Sequence, residues 1–302
     1  MLAQLRKVSS SLKFQKFQRS YSSEPLEGIY NPIQVLGKGC VQLIDHMPGK
    51  ISAPLFCDAA VPEMARISYG AGTKRVSQDK HLIRYLMKHY HTSPFEGVQF
   101  KFRLKIPIFV ERQLIRHRTA KVNQISGRYS ILSDEYYVPE NIRIQSANNK
   151  QGSAGVLDET DEELSHVATE FRERCENVAG HQYYTDLLEK HDVARELARI
   201  VLPQNLFTEL YWVMDLHNLL HFLRLRCDPS AQEEIRVVAD AIMSVVEKLC
   251  PVSTQAFMDY RVNTITLSTH EIEAIRSREV DSNLSQRERQ ELLGKLRKLK
   301  ID

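Results

Sequence analysis

The chain has 302 residues, room for about two domains, and 42% of them are hydrophobic, the proportion of an ordinary packed core. No apolar run reaches the ~20 residues that span a bilayer. The five cysteines (Cys40, Cys57, Cys175, Cys227, Cys250) form no CxxC pair, which argues against a zinc ribbon and a disulfide framework and for a reducing compartment.

The formal charge of +3 belongs to one end of the chain. Residues 1–23 hold Arg6, Lys7, Lys13, Lys16 and Arg19, several serines and no acid. That is the composition of a mitochondrial transit peptide, with cleavage expected after Tyr21; the alternative is a basic extension on a cytoplasmic protein. Without those five cations, 36 Lys plus Arg face 38 Asp plus Glu, a balance of −2, and the compositional support for a general nucleic-acid surface disappears.

After the leader, Val41 to Ile44 reads as a short strand. Ser77 to His89 reads as an amphipathic helix with Leu82, Tyr85, Leu86 and His89 on one side. Val98, Phe100, Phe102, Leu104 and Ile106 alternate strictly, which predicts a half-buried strand. Pro107 to Arg118 follows as a short helix with Pro107 at its first position, and Asn123 and Ser126-Gly127 then break the pattern. The polar run Asn141 to Gly155 marks a loop or insertion.

The second half is expected to be helical: Asp161 to Glu189, Asp192 to about Val201, Leu206 to Met214, Leu216 to Arg226, and Pro229 to Leu249. In the last of these Asp228 is the cap, Val238, Ile242, Val245 and Leu249 are the buried stripe, and Pro251 is the stop. Beyond Asn263, capping boxes at Ser268/Glu271 and Ser285/Glu288, with Leu267 facing Ile272 as a staple, predict two more helices. Leu292, Leu293, Leu296 and Leu299 form a thin apolar edge there, suited to docking more than to a core.

The densest chemistry lies in Arg116-His117-Arg118 and, after seven residues, Ser126-Gly127-Arg128-Tyr129-Ser130. Guanidiniums offer forked donors matched to phosphate and carboxylate. A lone Arg-His-Arg is more often a basic helix end, and one alternative reading is a nucleic-acid-binding protein using the cations from Arg103 to Arg128. The longer pattern resembles the signature of the flavin-dependent thymidylate synthases. It occurs with Ala65-Arg66-Ile67-Ser68, His91-Thr92-Ser93-Pro94-Phe95-Glu96, Ala198-Arg199-Ile200-Val201-Leu202-Pro203 and Leu220-His221-Phe222-Leu223-Arg224-Leu225-Arg226, in that order, over roughly residues 35 to 260.

The resemblance implies an α/β (α+β) fold: a domain over 35–262 with a sheet-bearing part of about 35–140 and a helical part of about 156–250; the charged helical tail over 263–302 lies outside the resemblance and its role is open. The resemblance also implies conversion of dUMP to dTMP, with methylenetetrahydrofolate as carbon donor, FAD as cofactor and NADPH as its reductant, in a homotetramer whose sites are shared between subunits. Adding a methyl group from a methylene-level donor needs two electrons that side chains do not supply, hence the cofactor. The resemblance assigns dUMP to Gln113, Arg116, Gln124, Ile125, Ser126, Gly127, Arg128, Arg199 and Arg226, with Arg226 polarising the pyrimidine as a fixed cation. It assigns FAD to Ser68, Ser93, Glu96, Arg116, His117, Arg118, Thr119, Gln124, Asp215, His217 and His221. Asp215 stands where relatives often have Asn, and Ser93 where Thr is commoner. His117, between two arginines, is expected to resist protonation. His217 and His221 are spaced i, i+4 like a metal pair, which leaves a metal-dependent phosphohydrolase as a third reading, but no glutamate of an HExxH motif accompanies them, so no metal is assigned.

Overall fold

The computed structural model describes residues 28–48, 56–69, 79–147, 152–277 and 284–299. The leader and its cleavage point lie outside these residues. The described residues fall into two compact units, one within Leu26–Val262 and one within Asn263–Asp302.

In chain order the first unit has β1 (Ile33–Val35), β2 (Gly39–Met47), α1 (Ala60–Arg66), α2 (Asp79–Lys88), α3 (Ser93–Glu96), β3 (Gln99–Pro107), α4 (Ile108–Leu114), β4 (Lys121–Gln124), β5 (Arg143–Gln145) and β6 (Ser153–Val156). It continues with α5 (Glu162–Glu176), α6 (Val178–Glu189), α7 (Arg195–Ala198), β7 (Phe207–Asp215), α8 (Leu216–Arg226), α9 (Glu233–Leu249) and α10 (Pro251–Phe257), and ends in a π-helical turn, Met258–Val262. The sheet order is β1-β2-β3-β7-β4 and every pair is antiparallel, so the fold is of the α+β kind.

The alternation read in β3 is realised: Phe100, Phe102, Leu104 and Ile106 are fully buried. On the opposite face Arg103 pairs with Glu209 and Lys105 with Glu135. The segment Leu206 to Met214, expected as a helix, is strand β7. Leu210, Trp212 and Met214 alternate into the core, and two neighbours, β3 and β4, satisfy the backbone on both sides. The helical second half therefore donates a central strand to the sheet.

Other boundaries shift for local reasons. The strand expected at Val41 to Ile44 is nine residues long. Asn177 adopts a left-handed φ of 51° and splits Asp161 to Glu189 into α5 and α6. Asp228 accepts from the Ser230 N–H in a local turn, so α9 begins only at Glu233. Pro251 starts α10 instead of merely ending α9, its missing N–H costing nothing at a first turn. The Asn141 to Gly155 insertion carries the β5–β6 ladder. The core side of α2 is Ile83, Leu86 and Met87; Tyr85 faces outward, 4.4 Å from the His89 ring.

In the second unit, α11 (Thr269–Ser277) and α12 (Gln286–Leu299) each start with the expected reciprocal capping box. Ala274, Leu284 and Leu292 form a small core with Leu267 and Leu296 packed on it, and Lys295 bonds Glu271. Leu267 thus turns to that cluster, while Ile272 lies on the exposed side.

Candidate active site

The expected helix Pro107 to Arg118 ends at Leu114, and Pro107 is its extended N-cap residue. Arg116, His117 and Arg118 therefore sit in the turns that lead to β4, and Asn123 lies within that strand. Arg116 and Arg118 are exposed and make no ion pair among the described residues, whereas His117 is turned inward. Its ring packs edge-on against Phe222 at 4.9 Å and stands 6.0 Å from the His221 ring.

Arg226, in the last turn of α8, donates from Nε to His117 Nε2 at 3.2 Å. This bond joins two motifs 109 residues apart. An accepting Nε2 is unprotonated, and the electrostatics agree: burial first, then Arg226 and His221, hold the His117 imidazole down to about 4. The expectation of a neutral His117 holds, although the neighbouring arginines expected to cause it point elsewhere. Its folded pKa lies below the ordinary value of 6.5, so the unfolded chain binds this proton first. Stability contributed by the neutral ring is present above about 6.5 and is lost as pH falls toward about 4. Urea midpoints measured across that window should fall more steeply for the natural chain than for His117→Gln; equal slopes would remove His117 as the titrating group.

Beside this pair, His91, His217 and His221 line a cavity of about 180 Å³ with Leu86, Phe95, Leu220 and Phe257 as its apolar walls. Asp215 accepts from the Asn218 N–H at 2.9 Å and caps α8, which sets the direction in which His217 and His221 project. Ser93 and Glu96 are exposed at the two ends of α3, Ser68 is exposed in the 3-10 turn after α1, and Thr119 is exposed before β4. Burial and Asp240 push the Cys227 thiol up to about 12, far from a nucleophilic thiolate.

A second group forms along the first residues of β7. Ile125 N–H bonds Glu209 at 2.9 Å and Gln124 bonds the Thr208 hydroxyl at 2.8 Å. Next, Ser126 Oγ accepts from the Arg128 N–H at 3.2 Å, and Ser126 O accepts from the Tyr129 and Ser130 N–H groups. Arg128 pairs loosely with Glu196, and a Cβ on Gly127 would stand 3.1 Å from Arg199 Cδ. The turn thus keeps Arg199 within reach of a bare backbone, an arrangement that suits an anion. Gln113 donates from Nε2 to Gln232 Oε1 at 2.6 Å. Among the described residues no hydrogen bond or ion pair links the Ser126 turn to the His117–Arg226 pair.

A larger, open hollow of about 660 Å³ is lined by Arg143, Glu233 and Glu234, but these charges pair with one another and none of the expected site residues reaches it. Among the described residues no group of three or more His, Cys, Asp and Glu is placed to hold a metal ion, and no helix is long and apolar enough to cross a membrane.

Residues 42–252 match the model of the family described as thymidylate synthase complementing protein. The chain belongs to that family. A flavin-dependent thymidylate synthase of Dictyostelium discoideum is 46% identical over 248 residues, 81% of this chain and 80% of its own length. One from Thermus thermophilus is 50% identical over 244 residues, covering 81% of this chain and 84% of its own. Among solved structures, the UMP/dUMP methylase PolB from Streptomyces cacaoi bound with 5-Br dUMP aligns with a TM-score of 0.62 at 30% identity, over 76% of this chain and 98% of that one. The same methylase bound with 5-Br UMP gives 0.61 at 32% identity, over 74% and 94%.

Several residues of this family member carry no readable signal in the sequence. Asp58 is fully buried and accepts from Val252 N–H, Ser253 N–H and Ser253 Oγ, holding the start of α10 across nearly 200 residues of chain. Tyr90 and Arg261 frame the cavity mouth. No spacing rule links partners so far apart.

Proposed function

We propose that the chain methylates dUMP at carbon 5 to give dTMP, using methylenetetrahydrofolate as carbon donor and FAD recharged by NADPH. The observation that carries this reading is the Arg226–His117 bond. It occupies only the Nε of the guanidinium, with the unprotonated Nε2 of His117 as acceptor, so the two Nη groups of a partly buried, permanent cation remain as donors for a ligand. A cation there favours a pyrimidine that carries negative charge on its carbonyl oxygens, which raises the electron density at carbon 5.

Ser126, Gly127, Arg128 and Arg199 hold the phosphate in this reading, with Gln113, Arg116, Gln124, Ile125 and Arg226 on the rest of the nucleotide. The cavity fits a flavin by the chemistry of its walls: an apolar floor for a flat ring, imidazoles at its edge and, nearby, the unpaired Arg116 and Arg118. Ser68, Ser93, Glu96, His117, Thr119, Gln124, Asp215, His217 and His221 complete that assignment. Bound there, the flavin supplies the two electrons that turn a methylene-level carbon into methyl. His117 stays neutral and orients Arg226; Phe222 beside it excludes water.

The family resemblance supports a homotetramer in which facing copies complete each other's sites. Residues 1–23 support mitochondrial delivery, tested by fusing them to a reporter. The basic-surface alternative loses ground because Arg103 and Lys105 are held by Glu209 and Glu135.

The test is an anaerobic assay of the purified protein with dUMP, methylenetetrahydrofolate and NADPH, following the flavin spectrum and dTMP. Bleaching of the flavin with product is expected. A colourless protein that FAD does not reconstitute, making no dTMP, would overturn the reading.

A further inference from the structure

Two backbone irregularities meet at the mouth of the histidine-lined cavity. Tyr90 has a left-handed φ of 62°, a conformation that glycine adopts freely and an aromatic residue only at a cost. The residue is 72% exposed, so no core packing offsets that cost. Facing it, Arg261 belongs to the π-helical turn Met258–Val262, a rare geometry that recurs at functional sites. The Arg261 guanidinium lies 3.3 Å from the Tyr90 ring centroid and also donates to the Met87 carbonyl. Arg84 ties the same turn down through Asp259 at 2.7 Å and the Tyr260 hydroxyl at 3.1 Å.

Arg224, on the exposed side of α8, also lines this cavity and has no ion pair or hydrogen bond among the described residues. An aromatic ring held by one cation and a second unpaired cation, set at the mouth above the apolar floor given to the flavin, together match a flat heteroaromatic ligand with an anionic tail. Tyr90 and Arg224 lie within the stretch matched by the family model and Arg261 lies beyond it.

We propose that Tyr90, clamped by Arg261, and Arg224 form the docking platform for a co-substrate that is a flat nitrogen heteroaromatic with an anionic tail. This rests on the thymidylate synthase reading, in which two co-substrates share that chemistry: a pteridine ending in a glutamate and a reduced nicotinamide dinucleotide. Tyr90 presents the stacking face, Arg261 fixes its plane, and Arg224 meets the anion.

The experiment uses the full-length, flavin-loaded protein and the variants Tyr90→Gly and Arg224→Gln. Affinity for tetrahydrofolate and for NADP+ is titrated separately by fluorescence, alongside melting temperature and flavin content. Tyr90→Gly relieves the left-handed residue, so its melting temperature is expected to hold or rise, with flavin retained. One of the two ligands should nonetheless bind about tenfold more weakly, and Arg224→Gln should weaken the same ligand several-fold with a reduced salt dependence. A response in the folate arm names the pteridine as occupant; a response in the NADP+ arm names the dinucleotide. Unchanged affinity for both ligands overturns the platform, as does a fall in stability with affinity intact, which would make the ring a structural brace. Because these titrations do not depend on turnover, they remain decisive even if the natural chain makes no dTMP.

Discussion

Replacing Arg226 by alanine is expected to lower the rate of dTMP formation by at least about 100-fold, the scale of losing one preorganised charged donor at a reacting centre. The guanidinium is held in place by its Nε bond to His117 and has no carboxylate partner among the described residues, so its charge is not neutralised within the chain. Removing it has a second consequence. Arg226 is one of the causes that keep His117 neutral, so in the variant the imidazole should titrate at a higher pH than about 4. Flavin content should change much less, because the apolar walls and the imidazoles of His91, His217 and His221 stay in place. Arg226→Lys keeps the charge but loses the fork and should recover only part of the rate. The checks are single-turnover dTMP formation, flavin absorbance and the His117 titration by NMR. Natural turnover in the alanine variant would remove Arg226 from the chemistry.

The largest effect on stability is expected at Asp58. Its carboxylate meets the Val252 N–H at 2.6 Å, the Ser253 N–H at 2.9 Å and the Ser253 hydroxyl at 2.5 Å, all out of contact with water. Alanine at this position leaves buried donors without partners at the first turn of α10, a loss of about 3–5 kcal/mol. Asparagine keeps one acceptor oxygen and should cost less than alanine. Urea unfolding measures both, and a midpoint for Asp58→Ala within error of the natural chain would show that α10 is held by its apolar face alone. That face includes Val252, Ala256 and Phe257, and Phe257 also forms part of the cavity wall, so loss of stability and loss of flavin should appear together.

How far each element was readable follows from how local its cause is. Strand β3 was legible because alternation over nine residues is written in neighbouring side chains, and both capping boxes of the last unit were legible because their partners are three residues apart. The residues of β7 read as a helix because they stand between two helical stretches, although Leu210, Trp212 and Met214 alternate. What decides for a strand is the offer of two paired edges by β3 and β4, and those arrive from residues 99–124. His117 shows the same division within a single residue: its neutrality was expected from adjacent arginines, yet burial, Arg226 and His221 produce it.

By itself, the sequence determined the family, through ordered motifs whose residue types and spacings are local, and with it the chemistry the chain is equipped for. Only the tertiary structure decided which of those residues meet: Arg226 with His117, Arg199 with Gly127, Asp58 with the first turn of α10. The physical reason is that hydrogen bonds and packing act over a few ångströms, while the chain that joins these partners runs for tens to hundreds of residues, and the path it takes is set by burial of the whole sheet face at once.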